Sequence, residues 1–223
     1  MAKFRHVVIT GVSRGIGAAL LKYFSGQGAF VSGCSSSSNM DEGTLEHAEI
    51  SQVDIRSRIA VERWAKEVLS THGAPDLLVN NASIGMKHGP FHTLDLRTIE
   101  DLLNVNYAGT IRVTHAFLRA MIDAGGGIIA TLTTPPKGIP SKEIVPYAAS
   151  KYGSNGFTQT LVGEKLPGIT CVDIFPGILN TTLTRNSYGK KAERLPTPET
   201  WIEKAGPFFE SLGPEHNGQH LSV

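Results

Sequence analysis

The sequence contains few of the residues that mark several common classes of protein. Only two of its 223 residues are cysteines, Cys34 and Cys171, and neither has a partner at CxxC or metal-ligand spacing. A disulfide framework or a zinc site is therefore not expected, and no other metal site is predicted. Two unpaired cysteines in apolar, strand-like runs fit a reducing, intracellular setting.

Charge and long apolar runs are also scarce. Charged residues make up 18% of the chain and the net charge is +1, with no basic run or stripe, so nucleic-acid binding is not expected. No apolar run approaches the ~20 residues of a membrane-spanning helix. The opening MAKFRHVVITG lacks the apolar length and cleavage site of a signal peptide. We expect a cytoplasmic protein without membrane contact.

Hydrophobic residues, 40% of the chain, form strand-like runs that alternate with helix-like segments. Strands are predicted at 6–10, 29–34, 48–55, 76–82, 127–134, 169–177 and 218–223. Helices are predicted at 16–28, 58–73, 98–121, 147–166 and 198–212. This alternation is typical of a doubly wound, seven-stranded parallel sheet with helices on both faces. We predict one α/β domain over residues 1–223, in which the polar, irregular stretch 180–197 forms a mobile substrate flap.

A glycine-rich turn, TGVSRGIG, follows the first predicted strand and opens the first helix. Its glycines Gly11, Gly15 and Gly17 are spaced G-x-x-x-G-x-G rather than G-x-G-x-x-G. Such glycines allow a tight turn and a close approach of backbone to a pyrophosphate at the helix N-terminus. A turn that merely packs a helix on a strand would give the same pattern, so the glycines alone do not establish a phosphate site.

Four further motifs lie where a known family has its signatures. They are NNAS (80–83), NVNYAG (104–109), YAASK (147–151) and FPGILNT (175–181). With the TGxxxGxG turn, they resemble the motifs of the short-chain dehydrogenase/reductase family, and the resemblance covers essentially the whole chain. It implies a Rossmann-type fold, a nicotinamide cofactor and hydride transfer between that cofactor and a carbonyl or alcohol group.

The catalytic residues are predicted from this resemblance and from helical spacing. Tyr147 and Lys151 are four residues apart and share a helix face, where an ammonium would lower the pKa of the phenol. Tyr147 would then act as general acid, although an ordinary surface pair has the same spacing. The family places a hydroxyl thirteen residues earlier, at Thr134, with Thr133 as the alternative. Asn106 corresponds to an asparagine that supports a proton relay, or else satisfies a helix irregularity.

The resemblance also implies a set of residues that bind the cofactor. Asp54 would meet the adenine amino group, although a carboxylate near a helix N-cap gives the same pattern. Ile178 and Thr181 would hold the nicotinamide carboxamide, and Lys151 its ribose. The full predicted set is Gly11, Ser13, Arg14, Gly15, Ile16, Gly17, Ser35, Ser36, Asp54, Ile55, Asn81, Ala82, Tyr147, Lys151, Pro176, Gly177, Ile178 and Thr181.

The second strand ends without the acidic residue that binds the ribose 2′-hydroxyl of NAD. Ser35 and Ser36 stand there instead, and Arg14 lies inside the glycine turn. Hydroxyls and a guanidinium suit a 2′-phosphate, so we predict NADP(H). Ser36 replaces the arginine common at its position. A plain serine loop and a solvated Arg14 are the alternatives.

The predicted substrate is a small carbonyl compound. Contacts with it are predicted for Thr134, Pro135, Tyr147, Leu179 and Leu183, and the wider pocket wall for Ile84, Met86, Pro136 and Ile139, with Tyr188 and Trp201 as capping aromatics. The stretches VPYAASKYG, FPGILNTTLT and NGQHLSV resemble plant-type NADPH-dependent pterin aldehyde reductases. A reductase of other carbonyls and a non-catalytic NADP(H)-binding sensor or scaffold are the alternatives. Relatives associate through the helices at 98–121 and 147–166, so a homodimer or homotetramer is expected.

Overall fold

The protein has one sheet of seven parallel strands in the order β3-β2-β1-β4-β5-β6-β7. A computed structural model describes residues 2–37, 46–135 and 142–223. The strands are β1 (His6–Thr10), β2 (Phe30–Ser35), β3 (Ala48–Gln52), β4 (Leu77–Asn80), β5 (Gly127–Leu132), β6 (Ile169–Phe175) and β7 (His220–Ser222). The strand order reverses between β1 and β4, the point at which open α/β sheets bind ligands. The predicted doubly wound sheet is confirmed.

Helices cover both faces of this sheet. They are α1 (Gly15–Gly26), α2 (Arg58–His72), α3 (Leu96–Leu103), α4 (Thr110–Asp123), α5 (Val145–Gly163), α6 (Thr182–Tyr188) and α7 (Pro198–Ser211). On one face α1 packs against α7, where the rings of Phe24 and Phe209 meet edge to face at 6.3 Å. On the other face Trp64 of α2 meets Phe117 of α4 at 5.4 Å. The site therefore rests on a sheet held between two apolar layers.

Residues 98–121 are helical as predicted, but they do not form one regular α-helix. The structure has α3, then a π-helical turn at Asn104–Gly109, then α4. The Asn106 side chain accepts from the Ile84 amide at 2.8 Å and donates to the Ile84 carbonyl at 3.0 Å. A Cβ on Gly109 would lie 2.5 Å from Ile55. These contacts draw the turn toward the segments after β3 and β4, and such π-turns are frequent at functional sites.

The stretch predicted to be an irregular flap is largely helical. Residues 182–188 form α6, and a 3₁₀ turn follows at Gly189–Arg194. Thr181 begins α6 with a capping box, in which its side chain accepts from the Thr184 amide and Thr184 Oγ1 bonds the Thr181 backbone. The prediction overlooked this cap because Thr184 takes the place of the usual Glu or Gln.

The β1 turn and α1 meet with no room for a side chain. A Cβ on Gly17 would lie 2.2 Å from the Gly11 carbonyl oxygen and 2.5 Å from Nδ2 of Asn81. That same Nδ2 donates to the carbonyl oxygens of Thr10 and Gly11, at 2.7 and 3.0 Å. A side chain at position 17 would therefore displace α1 or break the bond from Asn81 to Gly11.

We predict that Gly17→Ala lowers the free energy of unfolding by about 1–3 kcal/mol, the usual cost of overpacking. Gly26→Ala is the matched control, because a Cβ there meets nothing within 4 Å. It should raise the stability by up to about 0.5 kcal/mol through helix propensity. Urea unfolding of both variants measures the difference. Equal shifts in the two would contradict the close contact.

One carboxylate is buried beneath α5. Asp173 of β6 is fully buried, in register with Thr131 of β5 and His220 of β7. Among the described residues, neither of its carboxylate oxygens has a hydrogen bond of good geometry. Burial raises the pKa of Asp173 to about 7, although the side chains of Thr158 and Gln159 are near enough to oppose the shift. The folded chain therefore holds a proton here that the unfolded chain releases near pH ~4.

This difference makes stability fall as the pH rises. The contribution of the Asp173 proton is fully present below pH ~4 and is lost as the pH rises toward about 7. Asp173→Asn should therefore raise the free energy of unfolding at pH 8 by about 2–4 kcal/mol and leave it nearly unchanged at pH 4. Asp123→Asn, an exposed carboxylate paired with Arg119, is the control and should change stability by less than ~1 kcal/mol. An Asp173→Asn protein less stable than wild type at pH 8 would contradict this.

Candidate active site

A cleft of about 710 Å³ opens beside the carboxyl ends of the central strands. Its walls contain all of the predicted catalytic, cofactor-binding and substrate-contacting residues except Gly17 and Asn106. Gly17 lies behind the turn, where α1 packs on Gly11. The cleft therefore brings together side chains from the segments that follow six of the strands, as expected for a ligand site in a parallel sheet.

The glycine turn forms an anion cradle at one end of the cleft. Gly11 and Gly15 have φ of +76° and +62°, which a side chain rarely adopts. Arg14 precedes α1 in an extended conformation, no side chain caps the helix, and its first turn contains no acid. The first amides of α1 therefore face the cleft with positive potential. This cradle fits a pyrophosphate.

The ends of β1 and β4 are tied together beneath this cradle. Thr10 Oγ1 accepts from the amides of Asn81 and Ala82, at 3.1 and 3.0 Å. Ser83, where the family has glycine, has no positive φ, so its backbone tolerates a side chain. Its hydroxyl is buried in the cleft wall and has no partner within the described ranges. The floor of the cleft is thus rigid and offers one unused hydroxyl.

The far end of the cleft lies beyond β2 and β3. Ser35 is buried and accepts from the Ser37 amide at 3.1 Å, whereas Ser36 is exposed. Asp54 was expected to end the third strand, but β3 ends at Gln52 and Asp54 lies in the following loop. Two acids, Asp54 and Asp101, line the described wall at this end of the cleft. Positions 35 and 36 themselves, at the end of β2, carry hydroxyls and no carboxylate.

Two charged residues at this end were missed by the sequence analysis. Arg56 and Asp101 both line the cleft, and their side chains are paired at 2.8 Å. Arg56 also holds Asp54 through Nη2 at 2.7 Å, which keeps the pKa of that carboxyl below its usual range. The order Asp54, Ile55, Arg56 could have indicated the pair of Asp54 with Arg56. Nothing local indicates the pair of Arg56 with Asp101, because Asp101 comes from α3.

Tyr147 and Lys151 lie on the first turns of α5 and both face the cleft. The Lys151 ammonium is buried, donates to the Leu132 carbonyl at 3.0 Å and lies 5.9 Å from the centre of the Tyr147 ring. Burial lowers the pKa of Lys151 to about 8. It raises the pKa of Tyr147 to about 12, with a further contribution from Tyr188.

The expectation of a lowered Tyr147 pKa is therefore wrong for this structure. Loss of water disfavours the phenolate, and the nearby Tyr188 raises the pKa of Tyr147 further. Tyr147 is consequently a neutral phenol at pH 7. A neutral phenol can donate a proton but cannot accept one.

The other two predicted catalytic positions differ in their surroundings. Thr133 and Thr134 both follow β5 and line the cleft, and both are buried. Asn106 lies behind the wall, where its amide is bonded to the Ile84 backbone and to Ser150 Oγ at 3.3 Å. Its side chain therefore positions α5 against the segment after β4, and the predicted role of Asn106 in a proton relay stays a prediction.

The remaining wall is apolar and partly aromatic. Ile84, Met86, Leu179, Leu183 and Tyr188 line it. At its edge, the ring of Tyr188 meets His88 at 5.9 Å. His88 was missed because it lies in a segment without regular structure. Pro136 and Ile139 fall outside the described residues.

The predicted role of Trp201 as a cap over the pocket is wrong. Trp201 is buried in the core between the sheet and the α1–α7 layer, where its ring meets Phe209 at 6.4 Å. Its position on α7 dictates this, because α7 packs against α1 rather than over the cleft.

Two features are absent from the described residues. No helix there is both long and apolar enough to cross a bilayer. Those residues also contain no group of three or more histidine, cysteine or acidic side chains that could hold a metal ion.

Comparisons with known proteins identify related sequences over nearly the whole chain. A model of the family described as short chain dehydrogenase matches residues 5–192. The NADPH-dependent pterin aldehyde reductase of Arabidopsis thaliana is 29% identical, over 98% of this chain and 93% of its own. The 3-oxoacyl-(acyl-carrier-protein) reductase of Chlamydia trachomatis is 30% identical, over 97% of this chain and 94% of its own.

Solved structures share the fold. Ligand-free aldohexose dehydrogenase from Thermoplasma acidophilum superposes with a TM-score of 0.84 at 22% identity, covering 98% of this chain and 92% of its own. The 3-ketoacyl-(acyl-carrier-protein) reductase of Brucella melitensis, complexed with NADH, gives 0.83 at 24% identity, covering 98% and 96%. The chain therefore belongs to the short chain dehydrogenase family and is an NAD(P)-dependent oxidoreductase of CH–OH or carbonyl groups.

Proposed function

We propose that the protein is an NADPH-dependent reductase of aldehydes and that its substrate is a pterin aldehyde. The observation that carries this proposal is one cleft that joins an anion cradle at α1 to a neutral phenol beside a buried ammonium. An anion cradle suits the dinucleotide, and a phenol that keeps its proton suits reduction rather than oxidation.

The cleft residues divide into groups that fit the parts of a dinucleotide. Backbone amides from Gly11 to Gly17 would meet the pyrophosphate, and Asn81 and Ala82 would support the central part. Lys151 would hold the nicotinamide ribose. Pro176, Gly177, Ile178 and Thr181 would flank the nicotinamide, and Thr181 already lies close to the turn, 3.5 Å from a Cβ built on Gly15.

Side chains of the cleft would supply the proton that the carbonyl oxygen receives during reduction. When bound, the nicotinamide supplies the hydride. Tyr147 donates its proton to the carbonyl oxygen, and the hydroxyl of Thr134, or of Thr133, donates a hydrogen bond to the same oxygen. Lys151, with a pKa of about 8, is mostly protonated at neutral pH and stabilises the phenolate that Tyr147 leaves behind. Their burial strengthens each of these interactions.

The choice of NADPH over NADH is supported by the far end of the cleft. Ser36 is exposed there, Arg14 lines the cleft, and positions 35 and 36 carry no acid, whereas the acids Asp54 and Asp101 at this end are paired with Arg56. A guanidinium binds a phosphate through charge-assisted hydrogen bonds. The Arabidopsis relative is also named as NADPH-dependent.

Equilibrium binding of NADPH and NADH tests this choice. Wild type should bind NADPH at least about tenfold more tightly, and Arg14→Gln should weaken NADPH about 10- to 100-fold, the worth of a hydrogen bond to a charged group. NADH binding should stay within about twofold. Arg58→Gln is the control, because Arg58 is exposed and paired with Glu62 on α2. Tighter NADH binding by wild type, or equal weakening of both dinucleotides by Arg14→Gln, would contradict the choice.

The proposed substrate is supported by the side chains of the cleft wall and by the activity for which the Arabidopsis relative is named. Apolar side chains and the rings of Tyr188 and His88 surround the reacting end of the cleft, which suits a flat heterocycle that stacks on aromatic groups. A second candidate is an oxoacyl carbonyl on a carrier protein, favoured by the Chlamydia trachomatis relative at similar identity. The same cleft residues would serve both reactions.

Turnover of pterin-6-aldehyde with NADPH, followed by loss of nicotinamide absorbance, tests the function. Tyr147→Phe should lower kcat about 10²- to 10⁴-fold, the usual contribution of a general acid, while the protein still binds NADPH. Tyr152→Phe, a tyrosine of the same helix outside the cleft wall, should keep full activity.

Turnover of oxoacyl substrates but not of the pterin would overturn the proposed substrate. NADPH binding without turnover of any carbonyl would favour a sensor or scaffold.

A further inference from the structure

Arg56 is held at the far end of the cleft by two carboxylates. Its Nη1 donates to Asp101 at 2.8 Å, while Nε and Nη2 face Asp54. The three side chains come from the loop after β3 and from α3, and each is between a third and a half exposed. All three residues line the cleft. The guanidinium is therefore fixed in orientation although it stands in solvent.

Arg56 takes up the hydrogen-bonding capacity of Asp54. Oδ1 accepts from the Arg56 amide at 2.9 Å and from Nε at 3.1 Å. Oδ2 accepts from Nε at 3.0 Å and from Nη2 at 2.7 Å. A carboxylate has about four acceptor sites, so an amino group of a bound base would have to displace an intramolecular bond. Two-pronged guanidinium–carboxylate pairs of this kind are among the stronger hydrogen bonds.

After these contacts, the unused hydrogen-bonding groups of Arg56 at this end of the cleft are N–H donors. A guanidinium has five N–H groups, and the contacts with Asp54 and Asp101 use one on each nitrogen. One N–H each remains on Nη1 and Nη2. Ile55 and Val105 also line the cleft here and offer apolar surface to the face of a base. This end of the cleft thus presents hydrogen-bond donors to the edge of a base and an apolar surface to its face.

We propose that Arg56 controls base specificity by preventing the site from selecting the 6-amino group of adenine. A purine with a carbonyl oxygen at that position, hypoxanthine, would bind as well as adenine, because the oxygen accepts from the remaining N–H groups of Arg56. The inference rests on the proposed function, since it assumes that the cleft binds a nicotinamide dinucleotide.

The test compares binding of NADPH and of its hypoxanthine analogue, deamino-NADPH, by calorimetry in the absence of substrate. Wild type should bind the two with dissociation constants within about threefold. Arg56→Met releases Asp54 to accept the amino group and removes the donors, so it should favour NADPH about tenfold or more. Arg56→Lys should give an intermediate ratio, because an ammonium cannot hold both carboxylate oxygens in the same way. Arg58→Met, an exposed arginine two residues along, should keep the wild-type ratio.

The outcomes separate this inference from the proposed function. If wild type binds NADPH at least tenfold more tightly than deamino-NADPH, the inference is overturned and the proposed function stands. If Arg56→Met keeps a ratio near one, Arg56 does not set the base specificity and the inference also fails. If neither dinucleotide binds wild type, the proposed function fails and takes the inference with it.

Discussion

The site depends on one steric constraint, the contact of α1 with the turn after β1. Gly17 leaves no space for a Cβ against the Gly11 carbonyl, and Asn81 ties that carbonyl to the loop after β4. Thr10 joins the same loop through two further backbone bonds. These contacts fix the first turn of α1 at the sheet's switch point, so its unpaired amides face the cleft. The position of an anion is thus set by backbone packing.

At the reacting end of the cleft, burial of side chains determines the protonation of the two titratable groups. Desolvation raises the pKa of Tyr147 to about 12 and lowers that of Lys151 to about 8, so the two groups move apart in proton affinity. The phenol keeps its proton at neutral pH, while the ammonium remains available to compensate the charge that proton donation creates. Asn106, bonded to Ile84 and Ser150, holds this part of α5 against the segment after β4.

Periodicity predicted most of the helices and strands in their order along the chain, and motif spacing predicted most of the residues that surround the cleft. They could not predict the π-turn, because the hydrophobic spacing continues through it and its cause is the long-range bond of Asn106 to Ile84. The capping role predicted for Trp201 was wrong, and Arg56 was missed, for the same reason. The position of each depends on which element packs beside it, α1 for Trp201 and α3 for Arg56. Desolvation of Tyr147 likewise depends on tertiary burial, which a helical spacing of four residues does not reveal.

The central claim is that the cleft transfers a hydride from NADPH to a carbonyl carbon. The most direct measurement follows deuterium from NADPH labelled at C4 of the nicotinamide, on either face, during incubation with the protein and pterin-6-aldehyde. Deuterium from one of the two faces should appear on the new alcohol carbon, and the other face should transfer none. Reduction without deuterium from either face, or no reduction of any carbonyl by a protein that binds NADPH, would contradict it.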